Sequence, residues 1–428
     1  MSNELIEIDS NALRNLLKHH QMSQYDLAVR LDISTKTIQR WLNQSIRRVK
    51  PETIEKLVEV LGPTAGDIKR DSPVLSLRPT DKAVAEICSE RSFQSIRLTD
   101  DWNRYLEILK SIHTESLPTE QCFVISRNIG ISSFYLGKFQ AAKIHLSKAM
   151  KYAELLQNEN HLGDVRNWFA RLDEAVGNLF KADDYLNQNL QHLSKITRPS
   201  VLAEYAYVRG RVHLHRWQNA EAEVQLRRGL LTTLKARSKP YPLLAAWMYL
   251  HLVHLYLRTK NLPKAQACCR RFLSTAERSG WGRGILLGNY YLGIIEEFKN
   301  GPNTRSAQYF GKARMMHKCT LVDRYCPLLS QAEFLYFTLK GRYAEARTIL
   351  AHRLFKTRRA EFYLASTTID GLLLSKLNPG SHGIRKSMIA KAKEYYQAQG
   401  IEYPLTLIEK LEGRTEVLPQ EIAEFYYY

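Results

Sequence analysis

Apolar residues recur along this chain at steps of three and four, and the spacing predicts helices almost throughout. Four short helices are expected in the first sixty residues. The first, Asn11–His20, opens behind Asp9 or Ser10 and carries Leu13, Leu16 and Leu17 as its apolar stripe. Ser23 caps the second, and Asp26 three residues on completes an S-x-x-D box ahead of Leu27, Ala28 and Leu31. Ser34 caps the third, Thr35–Asn43, which turns Ile38, Trp41 and Leu42 inward. Pro51 suits the first position of a fourth, where Ile54, Leu57, Val58 and Leu61 follow an i, i+3, i+4, i+7 pattern that Gly62 ends. Residues 63–80 hold three prolines and a glycine with little periodicity, and read as a linker with one helical turn near Asp67. Beyond them helix follows helix, with no alternating strand pattern.

The later helices repeat. The stretch YLGKFQAA at 135–142 returns as KGRYAEA at 340–346, with weaker copies ending at Ala182, Ala220 and Ala265 and a degenerate one at Ala307. The anchor alanines 142, 182, 220, 265, 307 and 346 are 40, 38, 45, 42 and 39 residues apart. In each copy an aromatic or apolar residue leaves one helix, a turn follows, and a small residue opens the next where two helices pack closely. This looks like the tetratricopeptide repeat, whose turn reads G-x-Y/F-x-x-A, with a period longer than the usual ~34 residues. Helix pairs at about 81–116 and 358–399 extend the stack to roughly eight units, and the segment from Tyr403 to Tyr428 is expected as a cap or a contact to a second chain.

The run MSQYDLAVRLDISTKTIQRWLN at 22–43 resembles the helix-turn-helix of the Cro/Xre family, and residues 10 to about 70 would cover such a domain. Asp32 stands at the turn position often held by Gly, and Asp tolerates a left-handed backbone better than most residues. The resemblance implies that Ser34–Asn43 is a recognition helix. Thr35, Lys36 and Arg40 would then read base edges, with Lys36 and Arg40 suited to guanine O6 and N7 and Thr35 to a thymine methyl. Gln24, Ser34 and Asn43 match phosphate-holding positions, and Arg47, Arg48 and Lys50 would lie along the backbone. A helical bundle with a solvated basic face is the plainer alternative.

The expected fold is therefore all-α: a DNA-binding domain over 1–70, a linker at 71–80, and a right-handed α-solenoid of tetratricopeptide-like helix pairs over 81–428. Charge sharpens this picture. Of the net +19, the first 62 residues account for nine basic and eight acidic groups, so most of the excess lies downstream. The early basic residues are clustered, with Lys36, Arg40, Arg47, Arg48 and Lys50 and no acid in 36–50. Residues 201–280 set fourteen basic groups against four acids. That stretch fits an anionic ligand, long-range steering to DNA, or direct nucleic-acid contact through Arg227 and Arg228.

In a repeat stack the first helix of each pair lines the concave side. Counting back from the anchor alanines gives Arg127; Asn167 and Arg171; Tyr205, Arg209 and His213; His254 and Arg258; and Gln331, with Asn289 from the degenerate unit. Such a set suits an extended peptide, Asn pairing its amides and Arg a carboxylate, although polar residues on a concave surface are expected in any case. A helix-turn-helix followed by these repeats resembles the peptide-responsive RRNPP-type regulators of bacteria and mobile elements. That resemblance implies a homodimer on an inverted-repeat operator in double-stranded DNA, with a short signalling peptide changing its affinity. A partner protein filling the groove is the alternative.

No catalytic constellation is visible: the phosphate-binding loop, dinucleotide fingerprint and nucleophile elbow are all missing, so no enzyme activity and no cofactor are expected. Gly280–Gly284 follows a helix and reads as a loop. His213 with His215, and His251 with His254, have no Cys or carboxylate at metal-ligand spacing, so no metal site is expected. Six cysteines in 428 residues make no disulfide framework, and buried thiols are the expectation. No run of about 18 apolar residues and no basic-then-apolar leader occurs, so no membrane contact and a cytoplasmic location are expected.

Overall fold

The computed structural model describes residues 6–43, 48–61, 81–112, 114, 117–235, 242–319, 327–357, 361–379, 384–418 and 421–422. It divides into two compact units, Met1–Val84 and Ala85–Tyr428.

The first unit packs α1 (Ser10–His19), α2 (Gln24–Leu31), α3 (Thr35–Leu42) and α4 (Pro51–Leu61) around Leu13, Leu27, Ala28, Ile38, Trp41, Ile54 and Leu57. The capping box forms: the Ser23 hydroxyl accepts from the Asp26 amide, and the Asp26 carboxylate accepts from the Ser23 amide. The Ser23 hydroxyl also donates to the Asp26 carboxylate at 2.6 Å, and this bond, with the one from the Ser23 amide, holds the Asp26 carboxyl below the ordinary carboxylate range. Asp32 takes the left-handed conformation at φ 56° and lets α2 turn sharply into α3. A feature absent from the sequence reading is a two-residue antiparallel pair, β1 (Ile6–Glu7) with β2 (Arg48–Val49), which ties the chain before α1 to the chain before α4.

The second unit is a stack. The boundary between the units falls within α5 (Asp81–Ile87), and α6 (Glu90–Thr99) and α7 (Trp102–Lys110) come before the pairs, so the stretch from 81 holds three short helices rather than one pair. Pairs follow: α8 (Thr119–Tyr135) with α9 (Phe139–Leu155), α10 (Glu159–Ala175) with α11 (Leu179–Gln191), α12 (Pro199–His215) with α13 (Asn219–Lys235), and α14 (Pro242–Arg258) with α15 (Leu262–Ser279). Then come α16 (Gly282–Asn300) with α17 (Thr304–Cys319), α18 (Pro327–Leu339) with α19 (Tyr343–Thr357), α20 (Glu361–Leu377) with α21 (Lys386–Ala398), and a closing α22 (Glu402–Glu412). The long period comes from the helices: α8, α10, α12 and α14 each run 17 residues. Among the described residues the fold is thus all-α apart from β1 and β2, with α1 to α4 of the first unit followed in the second by tetratricopeptide-like helix pairs.

The turn inside each of the first six pairs is set by one left-handed residue: Gly137, Gly177, Trp217, Lys260, Gly301 and Gly341, at intervals of 40, 40, 43, 41 and 40. At 137, 177, 217, 260 and 341 the next amide donates to the carbonyl five residues back, as in Lys138 to Ser133 and Gln218 to His213, which satisfies a carbonyl left open at the helix end. Five residues after each left-handed position comes the small buried residue: Ala142, Ala182, Ala222, Ala265, Ser306 and Ala346. Two anchors read from the sequence are corrected here. Ala220 and Ala307 are exposed, and Ala222 and Ser306 occupy the closed contact. The turns at Trp217 and Gly301 lack the full G-x-Y/F phrase, so matching letters slipped the register. Further along the helices the backbones approach so closely that a Cβ on Gly210 would lie 2.8 Å from Leu226 Cγ.

The first helices are covered on both sides, which is why α14 is buried almost continuously from Leu243 to Arg258. The end of the stack also packs on its early turns. The Tyr395 hydroxyl donates to the Gly177 carbonyl at 3.0 Å, and Tyr403 stacks on Trp217 with ring centres 3.9 Å apart. Val417 and Ile422 join Leu179 in the same apolar cluster, and residues 423–428 lie outside the described set. Among the described residues no helix is long and apolar enough to cross a membrane.

Candidate nucleic-acid interface and repeat groove

On α3 the inward residues Ile38, Trp41 and Leu42 leave Lys36, Gln39, Arg40 and Asn43 on the opposite, exposed face. The N-cap Ser34 presents this helix end outward, and its hydroxyl accepts from the Thr37 amide at 3.2 Å, so that oxygen already holds the turn. Thr35 is half-buried and Gln24 and Lys50 are exposed. Arg48 lies in β2, and Arg47 falls outside the described residues. Gln24, Thr35, Gln39 and Asn43 line one open cleft with Arg14 and Lys18 of α1. The sequence reading passed over Gln39, Arg14 and Lys18. Gln39 follows Lys36 by one three-residue step on the exposed face, and Arg14 and Lys18 are a basic i, i+4 pair. Arg14 also donates to the Leu42 carbonyl at 2.7 Å, placing positive charge where the α3 dipole is negative.

Residues 12–73 match the family model of the Cro/C1-type HTH DNA-binding domain. The N-terminal unit is a Cro/C1-type HTH domain. Its capped turn and basic outward face are what that function needs, since the start of the recognition helix must reach base edges while its other face stays packed. No curated protein matches this chain. Among solved structures, a Rap protein complexed with competence and sporulation factor is similar at 14% identity and a TM-score of 0.45, over 94% of this chain and 99% of that one. A signal-transduction ATPase with numerous domains and a tetratricopeptide repeat sensor, from Pyrococcus horikoshii, has 14% identity and a TM-score of 0.46. That likeness covers 96% of this chain and 63% of the other.

In the repeat unit the ten residues read as groove-lining mostly meet neighbouring helices. Arg127 forms an ion pair with Asp164 at 2.6 Å. Arg171 reaches Glu204 at 2.7 Å and lies over the Trp168 ring at 4.3 Å. Asn167 donates to the Val201 carbonyl at 3.0 Å and accepts from Asn189 at 2.9 Å. Tyr205 and His254 are buried. Arg258 donates to the Leu214 carbonyl at 2.7 Å and stacks on Trp217. Asn289 bonds the Ile285 carbonyl of its own helix at 2.8 Å, and Gln331 lies 3.4 Å from Asp370. Arg209, paired with Asn187 at 3.1 Å, and His213, 2.6 Å from Gln218, remain partly open.

The acids Asp164, Glu174 and Glu204 are the partners the sequence did not announce, because each sits one helix pair away from its base, and Asp370 of α20 meets Arg353 of α19 at 2.6 Å. Glu174 of α10 joins Arg211 at 2.7 Å and His215, both on α12. Burial pushes its carboxyl pKa up, but Arg211 and His215 outweigh this and draw it down to about 2. On α14, burial holds His251 and His254 well below the ordinary histidine value, with the charge of Arg211 adding to the effect at His251 and that of Arg258 at His254.

Burial favours the neutral rings in the fold, while the unfolded chain takes up protons near the ordinary 6.5, so their contribution is full above that pH and is lost as pH falls. Between pH 7.5 and 5.5 the repeat unit should lose roughly 2 to 3 kcal/mol through these two groups. Urea unfolding at both pH values measures it. A variant with both replaced by leucine should show a much flatter dependence, and an equally steep one would place the proton uptake elsewhere.

Proposed function

We propose that the chain is a transcription regulator that binds an inverted-repeat operator as a homodimer and senses a short peptide through its repeats. The observation that carries this reading is the Cro/C1-type domain, with Lys36 and Arg40 exposed on its recognition helix, joined to a stack of tetratricopeptide-like pairs. Thr35, Lys36 and Arg40 read bases, while Gln24, Ser34, Asn43, Arg47, Arg48 and Lys50 hold the backbone. In the repeats Arg209 and His213 meet the peptide directly. Arg127, Asn167, Arg171, Tyr205, His254, Arg258, Asn289 and Gln331 form the wall behind them. A peptide carboxylate or amide that takes a wall residue must displace an inter-helix partner such as Glu204. Ligand binding is thereby coupled to the angle between successive pairs, which supplies the differential affinity for two arrangements that any such switch requires.

DNA selected from a random pool tests the first half. On the selected duplex Arg40→Ala should cost about 1–3 kcal/mol at one base pair and relax preference there. Lys50→Ala should weaken all sequences alike and lower the salt slope by about 0.9. Unchanged discrimination by Arg40→Ala would remove α3 from the reading role. A second reading, a DNA-tethered scaffold for a partner protein, is favoured by one observation: Val224, Leu231 and Leu234 stand exposed along α13.

A further inference from the structure

At the start of the stack, α6, α8, α10 and α12 border a small cleft of about 30 Å³, room for roughly two waters or one carboxylate group. Three arginines line it: Arg97, Arg127 and Arg198. Arg127 is engaged by Asp164, and Arg198 is exposed to solvent. Arg97 is different. It is only 9% exposed, and its Nη2, closed off from solvent, meets no hydrogen-bond acceptor among the described residues. The Phe93 ring lies 5.9 Å from its guanidinium carbon and 4.9 Å from that of Arg127, so one ring backs both groups at the cleft.

A buried guanidinium N–H left without an acceptor costs more than a neutral donor in the same position would. Its natural complement is a planar carboxylate, which matches the fork of N–H donors. Glu90, Asp164 and Glu204 also border the cleft, so a doubly charged phosphate would meet three carboxylates in a space sized for one smaller group.

We propose that this cleft is a receptor for a single carboxylate group, held by Arg97, with Arg198 and the Ser200 hydroxyl at its rim. The carboxylate belongs either to a small free acid or to the end of a peptide. The site requires neither DNA nor the peptide-sensing reading above, and stands or falls separately from it.

The test melts the full chain at pH 7.5 in sodium acetate, sodium phosphate and sodium chloride at matched ionic strength. Salts also act by general exclusion, so the readout is the difference between wild type and Arg97→Met. Wild type should gain roughly 2 °C in saturating acetate over chloride, a gain that Arg97→Met lacks. Arg97→Met should itself melt higher than wild type in chloride, because a buried charge has gone. If that variant fails to fold, Arg198→Gln serves as the comparison and should show a reduced gain. Equal melting of wild type in acetate and chloride, or the same gain in Arg97→Met, overturns the site, and a larger gain in phosphate overturns its carboxylate preference. Trialanine and its C-terminal amide then separate the sources. Competition with acetate by the free acid alone assigns the site to peptide ends, and competition by neither assigns it to small acids. A peptide that alters DNA binding equally in Arg97→Met would leave the regulator reading intact without this site.

Discussion

Replacing Glu174 with leucine should destabilise the repeat unit by about 3–5 kcal/mol, the usual result of removing one member of a buried ionic cluster. Glu174 is 1% exposed and accepts from Arg211 at 2.7 Å and from His215, all inside the contact between α10 and α12. Leucine fills similar space but leaves the Arg211 guanidinium half-enclosed with no counter-charge. Glu174→Gln keeps an acceptor and should cost less. The double change Glu174→Leu with Arg211→Leu should recover much of the loss, because apolar packing replaces the pair instead of orphaning it. Chemical unfolding of wild type, Glu174→Leu, Arg211→Leu and the double variant gives the cycle. A Glu174→Leu protein as stable as wild type would mean that α12 does not depend on this cluster for its seat. The pair also predicts an acid limb. The depressed Glu174 carboxyl contributes fully above the ordinary carboxylate pKa, and that contribution is lost as pH falls from about 4.5 towards 2.

Trp41→Ala should cost the HTH domain about 3–5 kcal/mol and abolish DNA binding while the repeats stay folded. Trp41 is 3% exposed in the core beside Leu13, Ile38 and Leu57, and its carbonyl accepts from the buried Ser10 hydroxyl at 2.9 Å. A domain of this size has little more stability than the change removes. Circular dichroism should show early loss of a minor helical fraction with the main transition in place, and binding to the selected operator should vanish. Retained affinity would show that α3 is seated by other contacts. Arg40→Ala is the contrasting case, since Arg40 is exposed and the change should leave melting unchanged.

The two changes differ in how visible their basis was beforehand. Trp41, Ile38 and Leu42 announce one buried helix face by spacing alone, so the inward and outward sides of α3 followed directly, and Lys36 and Arg40 with them. Glu174 announced nothing. It is one acid among many until α10 and α12 are packed. The groove positions fell between these cases: counting from the turns found polar residues on the first helices, but not that Arg171 would spend its charge on Glu204, 33 residues further on.

What the amino-acid order determined by itself was whatever depends on neighbours within about five residues. Ser23 and Asp26 close their own capping box, Ser34 and Pro51 start helices, and the left-handed turns at 137, 177, 217, 260 and 341 close through a helix-ending bond between groups five residues apart. Tertiary structure alone decided the pairing of Ile6 with Val49, the placing of Ala222 rather than Ala220 in the closed contact, and which polar side chains found partners. Local bonds form wherever the chain turns back within a few residues. Ion pairs and burial depend on the neighbouring helix, whose position is set by the packing of the whole stack. Arg127 and Arg97 line the same cleft, and only the packing gave one an acid partner and left the buried Nη2 of the other with no acceptor among the described residues.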